Sequence, residues 1–466
     1  MSTIQHCIYK SLSKSSELIH YKVISKIEGI YLIFGLLVLR RMECLYIDSI
    51  IEESNSDRSE LYKYGVLKNF YYNDSSLSIK SLSTDINNIE LNFDSYLKGY
   101  HPEVRYLVGE LNLSTTIKNA KRENKILKDI FNEIADIDLS TNSISRYSMD
   151  NVLKLVIHKI GNYSLNLIPA DIAELIAKLT LENIDAAYSN KESIIINDDS
   201  FGTGDLLIGL LNQLNYLGFS DDRIIITGME PSTLNYSIGL LRIILYGYDT
   251  SRLMIRDCIT NYNNSWEMGH TYSVMKPKQQ FPSWIKIFNK EVISDNRFKA
   301  GIPKDQNSFY MYLQHVISTL PTKDEIRSRA CLLSTPYPLL EKKGNRNNSV
   351  ANIRKWLLDN DYLEGIIKLP EGLFYESSIV YYIWIIDKNK NLEADSKRYI
   401  KFLDASRCCE RIRPNIFSKT NQLEEEHIEE ILKLYTSKEE NTSLNKVDIK
   451  DISLEGSWLS YFNSID

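Results

Sequence analysis

At 466 residues, with 43% hydrophobic and 25% charged side chains, the chain is long enough for about two or three domains and apolar enough to build a real core. Low glycine and proline (19 and 11) beside 30 tyrosines exclude long disordered linkers. A formal net charge of −6 gives the whole chain no electrostatic footprint for nucleic acid, so DNA binding requires a local basic patch or a partner subunit that brings positive charge.

Residues 1–150 read as a helical domain. Apolar positions recur at helical spacing in YKVISKIEGIYLIFGLLVLRRM and again in ENKILKDIFNEIADI, and the Asn-, Asp- and Ser-rich sequence between them reads as loops and short helices. The most apolar run, IYLIFGLLVL at 30–39, falls short of the roughly 20 residues that span a bilayer and reads as a buried helix. Nothing before it resembles a signal peptide. Cys7, Cys44, Cys258, Cys331, Cys408 and Cys409 show no CxxC spacing, which points to reduced thiols of a cytoplasmic protein and to no metal site.

Residues 151–435 read as an α/β domain. Amphipathic helices come first, the second of them with Pro169 at its first helical position. Short apolar runs then alternate with helices: SIIIND (193–198), RIIITGME (223–230), SRLMIRD (251–257), RACLLST (329–335), LEGIIKLP (363–370) and SIVYYIWIID (378–387). Continuous apolar runs flanked by helices predict a mostly parallel, doubly wound, Rossmann-like sheet. A charged helix, EEEHIEEILKLYTSKEE, follows, and residues 436–466 read as a short C-terminal tail.

The most informative stretch is IIINDDSFGTGDLLIGLL at 194–211. A strand ends at Asp198, then Phe201-Gly202-Thr203-Gly204-Asp205 turns into a helix. The two glycines permit the tight turn and a close ligand approach, and the helix aims its N-terminus at that ligand. The next strand ends in Glu230, a side chain suited to the two hydroxyls of a ribose, and the third in Asp257. With no third glycine, the spacing suits S-adenosylmethionine better than NAD. Taken singly, each feature has a plainer reading: the glycines as an ordinary turn, Glu230 as a helix N-terminal charge.

Over most of its length the chain resembles the modification subunits of type I restriction–modification systems, which are adenine-N6 DNA methyltransferases. GLLVLRRM resembles the N-terminal helix of that family, YSLNLIPADIAELIAKL its Tyr-Thr-Pro phrase with the following helix, and DDSFGTGDLL its DPxCGTGxxL motif. ITGMEPSTLNYSIGLLRIILYG, SFYMYLQHVISTL, the segment ending LPEGLFY and IKFLDAS follow in the family's order. The resemblance implies a class I S-adenosylmethionine-dependent methyltransferase sheet behind a helical N-terminal domain. It also implies a cofactor held by Ile168, Pro169, Asp198, Phe201, Gly202, Thr203, Gly204, Asp205, Glu230 and Asp257, and a complex with a specificity-type subunit or further copies that brings DNA.

The departures bear on activity. Where the family carries Asn-Pro-Pro-Phe after its fourth strand, the order of elements places Lys276-Pro277-Lys278-Gln279. The Asn oxygen and first Pro carbonyl accept the two N–H bonds of the adenine amine, and the aromatic ring stacks on the flipped base. Lys276 offers donors only and Gln279 no stacking face, unless Phe281 or Trp284 supplies one. Ile168 replaces a threonine, and Phe201 a smaller residue. The plain reading of Lys276 and Lys278 is solvated surface. That of Phe309, Tyr310, Tyr312 and His315 is core packing, and that of Asp404 structural. Three functions remain open: a type I methylase-subunit homologue with N6-adenine methylation impaired or lost, a methyltransferase for a non-DNA acceptor, and a non-catalytic scaffold.

Overall fold

The two sequence patterns correspond to two architectures in the computed structural model, which describes residues 2–55, 68–158, 165, 167–182, 184, 193–260, 272–278, 292, 294–303, 308–321, 328–340, 349–375, 377–388, 398–413, 419–437 and 439–462. The chain forms two units, one of residues 1–166 with 232–251, the other of residues 167–231 with 252–466.

The first unit is helical. Its central helix, Lys26–Asn55, carries the apolar run, and Leu32, Ile33, Phe34, Leu36, Leu37, Val38 and Leu39 are fully buried. Burial on all sides of this part of the helix is what its ten consecutive apolar residues demand, at about 1.5–3 kcal/mol for each large side chain. Shorter helices surround it, from Ile79–Thr84, capped by Ser78, to Arg146–His158. The helix Thr233–Tyr246 also belongs here, although it follows a sheet strand in sequence. Its buried Arg242 donates Nε to Asp150 at 2.7 Å and Nη2 to the same carboxylate at 3.0 Å. A bidentate pair removed from water in this way locks two helices and is costly to break from one side. Among the described residues no helix is long and apolar enough to cross a membrane.

The second unit is built on a nine-stranded sheet. In chain order its strands are β1 Ile194–Asp198, β2 Ile224–Met229, β3 Leu253–Met254, β4 Tyr272–Met275, β5 Arg329–Ser334, β6 Leu363–Lys368, β7 Tyr382–Asp387, β8 Tyr399–Asp404 and, after a small ribbon of β9 Glu410–Arg411 and β10 Asn421–Gln422, β11 Leu444–Asp448. The spatial order is β11-β8-β6-β7-β5-β4-β1-β2-β3. Neighbours from β3 to β5 are parallel, as expected. β7 runs antiparallel between β5 and β6, because only the segment 369–381 joins it to β6 and no helical crossover intervenes. The apolar run 251–257 yields only the two residues of β3.

Side chains alternate across the sheet. Ala330 and Leu332 join a buried cluster with Tyr310, Ile353, Trp384 and Phe402 on one face, whereas Cys331 between them reaches Thr180 of the helix Ala170–Thr180 on the other. Residues 436–466, expected as a tail, carry the edge strand β11 and the fully buried Trp458. Arg354 holds that segment. Its guanidinium lies 4.5 Å from the Trp458 ring and donates to the carbonyls of Leu454, at 3.1 Å, and Gly456, at 2.8 Å.

Candidate cofactor site

Strand order reverses at β1, which has β2 on one side and β4 on the other. In a parallel sheet, ligands bind at the carboxyl ends of the strands flanking such a reversal. Asp198 and the turn 201–205 lie at the end of β1, Glu230 at that of β2 and Lys276 at that of β4, with Asp257 three residues beyond β3.

β1 delivers Asp198 into a turn that folds back on itself. The Ser200 N–H donates to Asp198 Oδ1 at 2.9 Å, and the Phe201 N–H to the Met229 carbonyl at 3.2 Å. Gly202 and Gly204 have φ of 56° and 87°, left-handed values that explain why the turn takes glycine at both places. A Cβ on Gly202 would meet nothing within 4 Å, so this face of the turn is open rather than packed. Gly228 is glycine for the opposite reason, since a Cβ there would collide with the Asp198 carbonyl oxygen. Gly204 is the N-cap of the helix Asp205–Tyr216.

Asp205, in the first turn of that helix, organises its surroundings. Its Oδ2 accepts from Thr203 Oγ1 at 3.1 Å and from the Ile168 N–H at 3.0 Å. The Ile168 backbone is therefore held in place although the threonine hydroxyl of the family pattern is missing. Pro169 stands one residue earlier than expected: it is the N-cap of the helix Ala170–Thr180, with ψ of 146°. Its ring fixes only φ, which suits an extended cap as well as a first turn. Glu230, 2% exposed, accepts from the Gly202 N–H through Oε2 at 3.1 Å, and its own N–H donates to the Met254 carbonyl at 3.0 Å. Asp257 Oδ1 caps its own loop, taking the N–H groups of Ile259 and Thr260 at 3.0 and 3.2 Å.

The electrostatics are one-sided. Burial pushes the Asp198 carboxyl well above its ordinary range, and the negative charges of Asp199, Glu230 and Asp205 add to the rise against a single opposing backbone N–H. Four acids gathered within one turn and the adjoining strand end suit a ligand that brings positive charge. S-adenosylmethionine carries an ammonium and a sulfonium as well as a ribose diol, so these residues fit it.

The β4 end differs. Lys276 follows Met275 directly, and its Nζ lies 5.2 Å from the Phe374 ring centroid and 5.6 Å from that of Tyr381. Burial lowers its pKa to about 8 against the opposing pull of Asp205. Lys276 is thus no solvated surface residue. Pro277 is buried and the Lys278 carbonyl accepts from Ser308 Oγ. Gln279, Phe281 and Trp284 lie outside the described residues.

Several neighbours carried no legible signal. Phe374 and Tyr381 lie 4.0 Å apart, centroid to centroid, and only the phrase LPEGLFY drew the eye to the first. Asp199 pairs with His315 Nε2 at 2.8 Å across 116 residues of sequence, a distance no local pattern reports.

The comparisons agree with the geometry. Over 293 residues the chain is 26% identical to the methylase subunit of the type I restriction enzyme MpnII of Mycoplasma pneumoniae, covering 60% of this chain and 48% of that protein. It is 27% identical over 298 residues to the MjaVIII methylase subunit of Methanocaldococcus jannaschii, covering 61% and 46%. The chain thus spans about half the length of these relatives. The crystal structure of a type I restriction–modification methyltransferase subunit from Streptococcus thermophilus superposes with a TM-score of 0.74 at 17% identity, covering 96% of each chain. The fold is therefore that of a type I restriction–modification methyltransferase subunit, a large sheet with a helical N-terminal region. Residues 160–461, which hold the turn, the strand-end acids and the β4 end, match the model of the N-6 DNA Methylase family, and the chain belongs to that family.

Proposed function

We propose that this protein is a type I methylase-subunit homologue that binds S-adenosylmethionine and in which N6-adenine methylation is impaired or lost. The observation that carries the reading is the contrast between an intact acidic turn and a β4 end filled by Lys276. Asp198 and its neighbouring acids would face the positive charge of the cofactor, the Gly202 backbone would lie against it, and Glu230 would take the ribose hydroxyls. The bound group supplies an electrophilic methyl.

The acceptor side supports the loss of function. A base sandwiched between Phe374 and Tyr381 needs about 3.5 Å to each face, and centroids 4.0 Å apart leave no such gap. Lys276 holds its ammonium toward these same rings and offers donors where the Asn of the family pattern offers an acceptor to the adenine amine. The net charge of −6 favours DNA brought by a specificity-type partner, in a cytoplasmic complex.

Titration calorimetry with S-adenosylmethionine tests the reading. Micromolar affinity, about −8 kcal/mol, lost in Asp198→Ala and Glu230→Ala, is the expected result. Absence of heat at millimolar cofactor would remove it and leave a scaffold. Transfer of label to adenine in duplex DNA at family-like rates would overturn the claim of impaired methylation.

A further inference from the structure

We propose that Arg297 and His315 are positioning residues that set the gap between the loop after β1 and the loop after β3, and so hold the cofactor crevice at its binding width. The inference rests on the cofactor reading above.

β1 and β3 do not pair, because β2 lies between them. A direct link between their carboxyl ends has to pass the β2 end that carries Glu230. Arg297 supplies a link. Asp295 aligns its guanidinium, with Oδ2 accepting Nε at 2.9 Å and Nη2 at 2.6 Å. The guanidinium then donates Nη1 to the Cys258 carbonyl at 2.7 Å and Nη2 to the Ile259 carbonyl at 2.9 Å. These carbonyls lie in the loop whose turn Asp257 caps. On its other side Nη1 reaches His315 Nδ1 at 2.7 Å.

That last contact assigns the imidazole. An arginine only donates, so Nδ1 must accept, the ring proton sits on Nε2, and Nε2–H donates to Asp199 Oδ2 at 2.8 Å. Asp199 directly follows Asp198. One continuous chain of bonds thus runs from the β3 loop through Arg297 and His315 to the residue beside the candidate ligand acid. All of it is shielded, with side-chain exposures of 8% for Arg297, 0% for His315 and 2% for Asp199. Neither Arg297 nor His315 is among the residues placed against the cofactor. Their effect passes through the loops they hold.

The test compares His315→Leu, which cuts both bonds, with His315→Gln, whose amide can accept from Arg297 and donate to Asp199. S-adenosylmethionine affinity is read by calorimetry and folding by thermal unfolding. His315→Leu is expected to weaken binding roughly tenfold, the usual size for losing an orienting partner, and His315→Gln to restore most of it. Equal affinity in the unsubstituted protein and a folded His315→Leu overturns the proposal and leaves the cofactor reading standing. No binding by the unsubstituted protein removes that reading and this inference with it. Should His315→Leu fail to fold, Arg297→Lys decides on the same scale, because lysine keeps the charge but cannot span both loops. Nitrogen NMR of His315 in the ligand-free protein gives an independent check: an Nε2-protonated ring supports the chain of bonds, and an Nδ1-protonated ring breaks it.

Discussion

Two ends of one sheet edge behave differently. At the ends of β1 and β2, Asp198, Asp199, Asp205 and Glu230 stand close together, and burial drives Asp198 toward its neutral form. At the end of β4, a cation sits among aromatic rings and burial drives it toward its neutral form too. In both places the folded protein tolerates an unfavourable charge. The difference is that a cationic ligand would relieve the first, whereas Lys276 occupies the second itself. On the proposed reading, the first end is kept for the cofactor and the second no longer takes an adenine.

The largest effect that would sharpen this contrast is at the acid end. Glu230→Ala is expected to weaken S-adenosylmethionine by at least about a hundredfold, roughly 3 kcal/mol. The substitution also frees the Gly202 N–H, and calorimetry reads the loss. Lys276→Met should leave cofactor affinity within about twofold. Equal losses in both variants would erase the distinction between the two ends.

Next in size is a pH effect of Lys276. Its folded pKa of about 8 lies below its ordinary 10.5, so between these values the unfolded chain binds more protons and stability rises with pH. The rise attributable to Lys276 is about 2–3 kcal/mol after discounting for its partial exposure. Below about pH 8 the group is charged in both states and its penalty is constant. Lys388 is lowered to about 8 as well, so the measurement is the difference between urea unfolding of the protein and of Lys276→Met across pH 7 to 10.5. A difference that does not change with pH would mean that Lys276 is solvated after all.

Asp198→Asn should stabilise the ligand-free protein by about 1–2 kcal/mol while weakening the cofactor. It removes a buried charge beside three like charges, the usual exchange of stability against function. A lower melting temperature would show that the carboxylate is structural. Smallest is Phe374→Leu. Losing one ring near the Lys276 ammonium costs about 1 kcal/mol and leaves cofactor affinity unchanged. A large affinity loss would place that ring in the cofactor site.

Legibility followed sequence distance. The strand, the paired glycines and the helix from Asp205 lie within one short stretch, and each residue type there answers a local demand: positive φ at Gly202 and Gly204, an acid at a helix N-terminus. Glu230 was legible as the end of the next strand. Strand β11 was not, because LNKVD is a half-exposed edge strand whose first residue alone is fully buried, and its pattern does not differ from that of a polar tail. Lys276 was legible as an absence of acceptors but not as a side chain held near two rings, since Phe374 and Tyr381 come from the distant β6–β7 connection.

By itself the sequence determined most of the sheet and the turn, because hydrophobic period and glycine conformation act over a few neighbouring residues. The tertiary structure alone decided which loops meet. It set His315, unremarkable on an apolar helix, between Arg297 and Asp199, and gave residues 436–466 a strand and the buried Trp458. The reason is that pairing partners in a buried polar network are chosen by the way the strands cross over, and that geometry leaves no trace in local pattern.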